Sequence, residues 1–271
     1  MYPRLLQFGP FTLPTYGACL AIGMVAALFL ALHTARRLRI DPESMWNLSM
    51  LVVFSALLGS KLLLIVANWR DFLHYPLLML SVSIPLSRSA LLGGFLLALL
   101  AGLFYLRAEK MPLLRTLDAA APALALADVF ANLGAFAAGS NYGAPTALPW
   151  GVVYRNPWAA YWSGTPLGIR LHPTQLYACL VEIFLCVFLL WLLPRQRQDG
   201  EAIGAWLFLY GLARFGIEFF RGDVDFTIFH KTLSMQQGIT IVMVSAGALL
   251  WLERDASHRQ ESPHQQEPDV L

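Results

Sequence analysis

The chain has 271 residues, 57% of them hydrophobic and only 13% charged, with a mean hydropathy of +0.57. Soluble domains carry about 25% charged residues, so this composition excludes an ordinary water-soluble fold and indicates a polytopic membrane protein. The formal net charge is +2 and the basic residues are scattered over segment ends, which excludes the basic run expected of a nucleic-acid partner.

Seven apolar stretches follow one another at 14–35, 45–68, 89–106, 117–138, 173–193, 202–220 and 233–252. Each has about the 20 residues that cross a bilayer as a helix. The first is preceded by no basic start and followed by no small-residue cleavage site, so it is expected to be retained. With the N-terminus outside, the cytoplasmic flanks carry 10 of the 19 basic residues, among them Arg36, Arg37, Arg39, Arg107 and Lys110. The outer flanks carry 7, and Lys61 and Arg214 lie inside segments. That bias, with the cytoplasmic residues packed into shorter loops, predicts N-outside and C-inside. Cys19, Cys179 and Cys186 lie within apolar segments without metal-ligand or paired spacing, so they read as small buried hydrophobes, and no metal or cofactor is expected.

The predicted architecture is an all-α polytopic membrane protein of about seven transmembrane helices over residues 1–252. An outer-face loop at 139–172 is rich in Gly, Pro, Trp and Tyr, and a polar cytoplasmic tail at 253–271 is expected to be disordered. The helix pairs show no internal repeat, which weakens a transporter reading.

The sixth segment holds the most informative residues. At about 100° per residue, Tyr210, Arg214, Glu218 and Arg221 fall within one narrow face of the helix. A charge at the centre of a bilayer costs roughly 2.5–3.5 kcal/mol, so such a stripe ordinarily faces a partner, a cavity or a ligand. The plainer readings are an Arg214–Glu218 ion pair one turn apart and an Arg221 that snorkels to the interface. A second tract, His172-Pro-Thr-Gln-Leu-Tyr177, opens the fifth segment, with Pro173 in a first-turn position that needs no amide proton. In the topology above, both tracts lie toward the outer leaflet. Tyr16, the Gly93–Gly94 pair, Asn132 and Gly134 are expected near the same depth.

With these two tracts in place, the chain resembles the prolipoprotein diacylglyceryl transferase family. The resemblance rests on the His-Pro-Ser/Thr-Gln-Leu-Tyr motif at 172–177 and the Tyr-Gly-x-x-Arg…Glu-Phe-Phe-Arg stretch at 210–221. Supporting matches are Thr15-Tyr16-Gly17, Gly93-Gly94, Gly134, Phe136, Gly139, Gly143 and Ser234-Met235-Gln236-Gln237. It implies seven membrane helices in a bacterial inner membrane, with the active site toward the outer leaflet. The implied reaction moves the diacylglyceryl group of phosphatidylglycerol to the lipobox cysteine in the signal peptide of a prolipoprotein, releasing glycerol phosphate. The implied catalytic set is Arg214, Tyr210, Glu218 and His172. In it Arg214 neutralises the phosphate, while Glu218 and Tyr210 hold its guanidinium. Tyr16, Gly143, Gln175, Tyr177 and Arg221 are the implied substrate-binding residues, with Arg221 collecting the headgroup. The implied partners are phosphatidylglycerol, the prolipoprotein signal peptide and membrane lipids.

The sequence also departs from that pattern. Leu92 stands where the family places a histidine, and Asn132, Ala135 and Ser140 align with its Arg, Asn and acidic residue. Ala144 replaces a further arginine. Three outcomes follow: His172 or Glu218 serves as base, the acceptor has changed, or the protein is a non-catalytic relative that binds phospholipid or lipoprotein.

Overall fold

The protein is described from a computed structural model covering residues 3–8, 11–74, 76, 88–223, 227–228 and 233–261. Strands β1 (Arg4–Phe8) and β2 (Phe11–Pro14) pair antiparallel and lead into α1 (Thr15–Arg37). Next come α2 (Pro42–Ala67), the short α3 (Trp69–His74), α4 (Arg88–Ala108) and α5 (Leu113–Ala138). The connection after α5 carries β3 (Val152–Val153), α6 (Pro157–Ser163) and β4 (Arg170–Leu171). The chain continues through α7 (Thr174–Leu192), α8 (Glu201–Glu218), the pair β5 (Thr227–Ile228) and β6 (Leu233–Ser234), and α9 (Met235–Glu261).

Among the described residues, six helices are long and apolar enough to cross a membrane: α1, α2, α4, α5, α7 and α9. Helix α8, with 18 residues, carries Glu201, Arg214 and Glu218. The fourth apolar segment forms one continuous helix despite Pro122 in its interior. The three short strand pairs among the described residues were not expected from an all-α reading. They are two to five residues long, too short for alternation to register as a pattern. Helix α9 extends the last span to Glu261, so the backbone at 253–261 is helical, while 262–271 of the expected tail lie outside the described residues.

The chain divides into two compact units, residues 31–116 and residues 1–30 with 117–271. In the first, α2 and α4 meet through glycines. A Cβ on Gly59 or Gly93 would run into the carbonyl of the other, and one on Gly94 would lie 2.8 Å from the Ala56 carbonyl oxygen. The Gly93–Gly94 pair therefore serves close helix packing, as small residues commonly do in membranes.

The second unit uses the same device repeatedly. Gly23 and Gly134 let α1 approach α5: a Cβ at 134 would be 2.9 Å from Cys19 Cβ, and one at 23 would meet Phe130. Gly211 faces Val244 and the Thr240 carbonyl, while a Cβ on Gly247 would lie 2.7 Å from the Gly204 carbonyl oxygen, so both glycines let α8 and α9 approach. Ala125 of α5 clusters with Leu185 and Cys186 of α7, and Trp206, Leu209 and Tyr210 of α8 pack against them. The N-terminus of α8 is held from a distance. The fully buried Asp118 carboxylate accepts from the amides of Gly200 and of Ile203, the latter at 2.9 Å, satisfying donors that a helix start leaves unpaired.

Candidate functional site

Helix α5 ends at Gly139, whose φ of +86° suits a residue without a side chain, and its amide donates back to the Ala135 carbonyl at 2.8 Å. The chain then threads through the two sequence tracts. Gly143 donates to the His172 carbonyl (3.0 Å), His172 to the Ala144 carbonyl (3.0 Å), Ala144 to the Phe220 carbonyl (2.8 Å) and Gly222 to the Tyr142 carbonyl (3.0 Å). Three stretches far apart in sequence are thereby knotted by backbone bonds around Gly143. A Cβ there would collide with the His172 carbonyl and lie 2.5 Å from His172 Cβ and 2.8 Å from the Phe220 oxygen.

Side chains reinforce the knot. Thr174 Oγ1 donates to the Asn141 carbonyl at 2.8 Å, and the buried Gln175 Nε2 donates to the Ser140 carbonyl at 2.6 Å and to the Tyr154 hydroxyl at 3.2 Å. Tyr154 is itself buried with Ala159 and Leu171, and that burial pushes its phenol up to about 12. Gln175 is thus a framework residue whose Oε1 has no hydrogen-bond partner among the described residues.

His172 and Tyr177 form an aromatic corner with Phe220, the ring centroids of His172 and Phe220 being 5.2 Å apart. The Trp150 indole donates to the Tyr177 hydroxyl at 2.9 Å, and that hydroxyl lies 3.2 Å from His172 Nδ1. Trp150 was not anticipated; as one of several loop tryptophans, it carried no signal that singled it out.

The charged stripe on α8 is divided between two environments. Arg221 is held within the protein: Asp223 Oδ1 accepts from its Nε at 2.9 Å and lies 2.8 Å from Nη2, while Glu218 is 3.7 Å from Nη1. The expected pairing of Glu218 with Arg214 is therefore replaced by one with Arg221, because the chain turns just after α8, where the Arg221 amide donates to the Glu218 carbonyl at 3.2 Å and brings the two side chains together. The surroundings of Arg221 make it a clamp on this end of the helix rather than a free cation.

Arg214 instead faces inward. One turn beyond the Ala125–Leu185–Tyr210 contact, α5, α7 and α8 present Asp128, Glu182 and Arg214, and both carboxylates act electrostatically on the guanidinium. Among the described residues Arg214 makes no ion pair within 4.0 Å, and its buried Nε has no hydrogen-bond partner. Tyr210 lies beside it, its ring stacked on Trp206 at 5.0 Å between centroids. Tyr16 enters from α1, where Gly134 packs against its backbone, and it too lies within electrostatic range of Asp128.

Sequence reasoning missed Asp128 and Glu182. The criterion that selected Arg214, a charge inside an apolar stretch, selects both acids as well.

Comparison with known proteins gives a consistent result. Residues 3–253 match the family model described as prolipoprotein diacylglyceryl transferase. A protein of Clostridium tetani named phosphatidylglycerol–prolipoprotein diacylglyceryl transferase is 29% identical over 253 residues, covering 93% of this chain and 97% of its own length. Relatives with the same name occur in Polaromonas sp., 32% identical over 266 residues with 92% of each chain covered, and in Synechococcus elongatus, 29% identical over 264 residues with 92% and 87% covered.

Proposed function

Because the chain belongs to the prolipoprotein diacylglyceryl transferase family, we propose that it transfers a diacylglyceryl group from phosphatidylglycerol to the lipobox cysteine of prolipoproteins, in lipoprotein biogenesis. The relatives' names supply the two substrates. The reading includes α8 as a seventh span, the N-terminus outside, and a site facing the outer leaflet of a bacterial inner membrane. The distribution of basic residues supports that orientation.

The observation that carries the proposal is Arg214. Arg214 is partly buried, and its buried Nε has no hydrogen-bond partner among the described residues, which is costly unless an anion satisfies it. A phosphodiester headgroup has the charge and the oxygens to do so bidentately. As the bond from the glycerol carbon to the phosphate oxygen breaks, charge builds on that phosphate. Arg214 then stabilises it more strongly in the transition state than in the bound lipid, which is the condition for catalysis. Tyr210 and Tyr16 supply hydroxyl donors for the same oxygens. The clamp of Arg221, Asp223 and Glu218 fixes the end of α8 so that Arg214 keeps its aim, and the corner of His172, Tyr177 and Phe220 walls the outer side.

The purified protein, given phosphatidylglycerol vesicles and a lipobox peptide, is expected to release glycerol phosphate in step with a diacylglyceryl mass gain on the peptide. Phospholipid binding that depends on Arg214, without any transfer, would instead support a non-catalytic phospholipid-binding relative.

A further inference from the structure

Transfer to a thiol requires a group that takes the thiol proton, since the thiolate is the nucleophile. Four side chains of the site have the chemistry. The Nδ1 of His172 is occupied by the Tyr177 hydroxyl at 3.2 Å, and the His172 ring is packed against Phe220. Glu218 is 7% exposed and paired with Arg221. Glu182 is 1% exposed and closed off between α7 and its neighbours. Asp128 is only half-buried, and one of its oxygens accepts from Asn132 Nδ2 at 3.1 Å, while the other accepts no hydrogen bond among the described residues.

We propose that the Asp128 carboxylate is the proton acceptor for the incoming cysteine thiol, held by Asn132 and set beside the phosphate-binding Arg214. The inference rests on the transferase reading above. Asn132 stands where the resemblance places an arginine, and here its amide serves the carboxylate one turn back: Nδ2 also donates to the Asp128 carbonyl at 2.9 Å, which fixes the rotamer. The carboxylate, on α5, lies within electrostatic range of Tyr16 on α1, Cys179 and Glu182 on α7, and Tyr210 and Arg214 on α8.

The step balances without any further reactant. The S–H bond breaks and its proton passes to Asp128. The thiolate sulfur attacks the glycerol carbon that bears the phosphate, a C–S bond forms, and the C–O bond breaks with its electron pair left on the phosphate oxygen. Glycerol phosphate departs from Arg214, and Asp128 gives its proton to water once the site opens.

The test compares full-length wild-type protein, Asp128→Asn and Asp128→Glu with phosphatidylglycerol vesicles and a lipobox peptide, measuring transfer across pH and, separately, lipid binding. General bases contribute about 10²–10⁴-fold, so Asp128→Asn is expected to fall at least about 100-fold with lipid binding retained. Its rate should rise only in the alkaline range, where the thiol ionises unaided, whereas the wild type should keep an acid-side limb. Asp128→Glu should recover part of the rate and the limb. Wild-type transfer with Asp128→Asn equally active and its pH profile unchanged would overturn this proposal alone. Loss of lipid binding together with transfer in Asp128→Asn, unrelieved by Asp128→Glu, would also overturn it, making Asp128 a structural partner of Arg214. A wild type that transfers nothing would overturn the transferase reading and this proposal together.

Discussion

Gly143→Ala tests the knot that joins the two site motifs. The methyl would enter a space bounded by His172 Cβ at 2.5 Å and the Phe220 carbonyl oxygen at 2.8 Å, both parts of hydrogen-bonded backbone or its immediate attachment. Neither can rotate away as a flexible side chain would. Forcing a methyl into a close-packed site costs about 1–3 kcal/mol. If two of the four bonds linking 142–144 to 172 and 220–222 are stretched out of range, each adds about 0.5–1.5 kcal/mol. The reduced freedom of the unfolded chain returns about 0.4–1 kcal/mol. The net expectation is a loss of about 1–5.5 kcal/mol, with transfer down at least tenfold because His172 and the end of α8 are displaced together. Denaturant titration in detergent micelles and the peptide transfer assay measure the two effects. Gly216→Ala is the companion, since a Cβ there meets nothing within 4 Å, and alanine in a helix gains about 0.5–1 kcal/mol over glycine. A Gly143→Ala protein as stable and as active as the wild type would refute the steric argument.

Three further expectations follow from the packing. Asp118→Ala should lower stability by about 1–2 kcal/mol, because two amides at the start of α8 lose their acceptor, and denaturant unfolding reads this directly. Gly93→Leu should separate α2 from α4, lowering the melting temperature and the yield of folded protein, whereas an unchanged melt would show that the Gly59 contact is dispensable. The buried Tyr154 favours its neutral phenol, so its contribution is complete below about pH 10 and lost as pH rises toward about 12. Tryptophan fluorescence should report loosening of the loop in that window, and Tyr154→Phe should remove the step.

The spans were legible because long apolar runs are the strongest signal a sequence carries, and 202–220 became informative through the charges that keep α8 out of the apolar set. The meeting of the 172–177 and 210–221 tracts was suggested by shared depth, but the means of meeting was not. It is made by backbone bonds from Gly143 and Ala144, and backbone groups have no sequence signature. The same holds for Asp118, whose role appears only when a helix 82 residues away starts beside it. Arg214 is the charge of the stripe that lies toward Asp128 and Glu182. The division of partners between it and Arg221 depends on how the chain turns after Glu218, and i,i+4 spacing alone favoured Glu218 for Arg214. Asp128 and Glu182 were visible as isolated acids, but only the convergence of α5, α7 and α8 shows that they share one arginine.

The most direct test is mass spectrometry of a lipobox peptide after incubation with phosphatidylglycerol and either wild-type protein or Arg214→Ala. A thioether-linked diacylglyceryl adduct is expected with the wild type, none when serine replaces the peptide cysteine, and a loss of at least about 100-fold in Arg214→Ala, since a main electrostatic contact of the transition state is removed. An adduct formed equally by Arg214→Ala would contradict the assignment of the phosphate to this arginine.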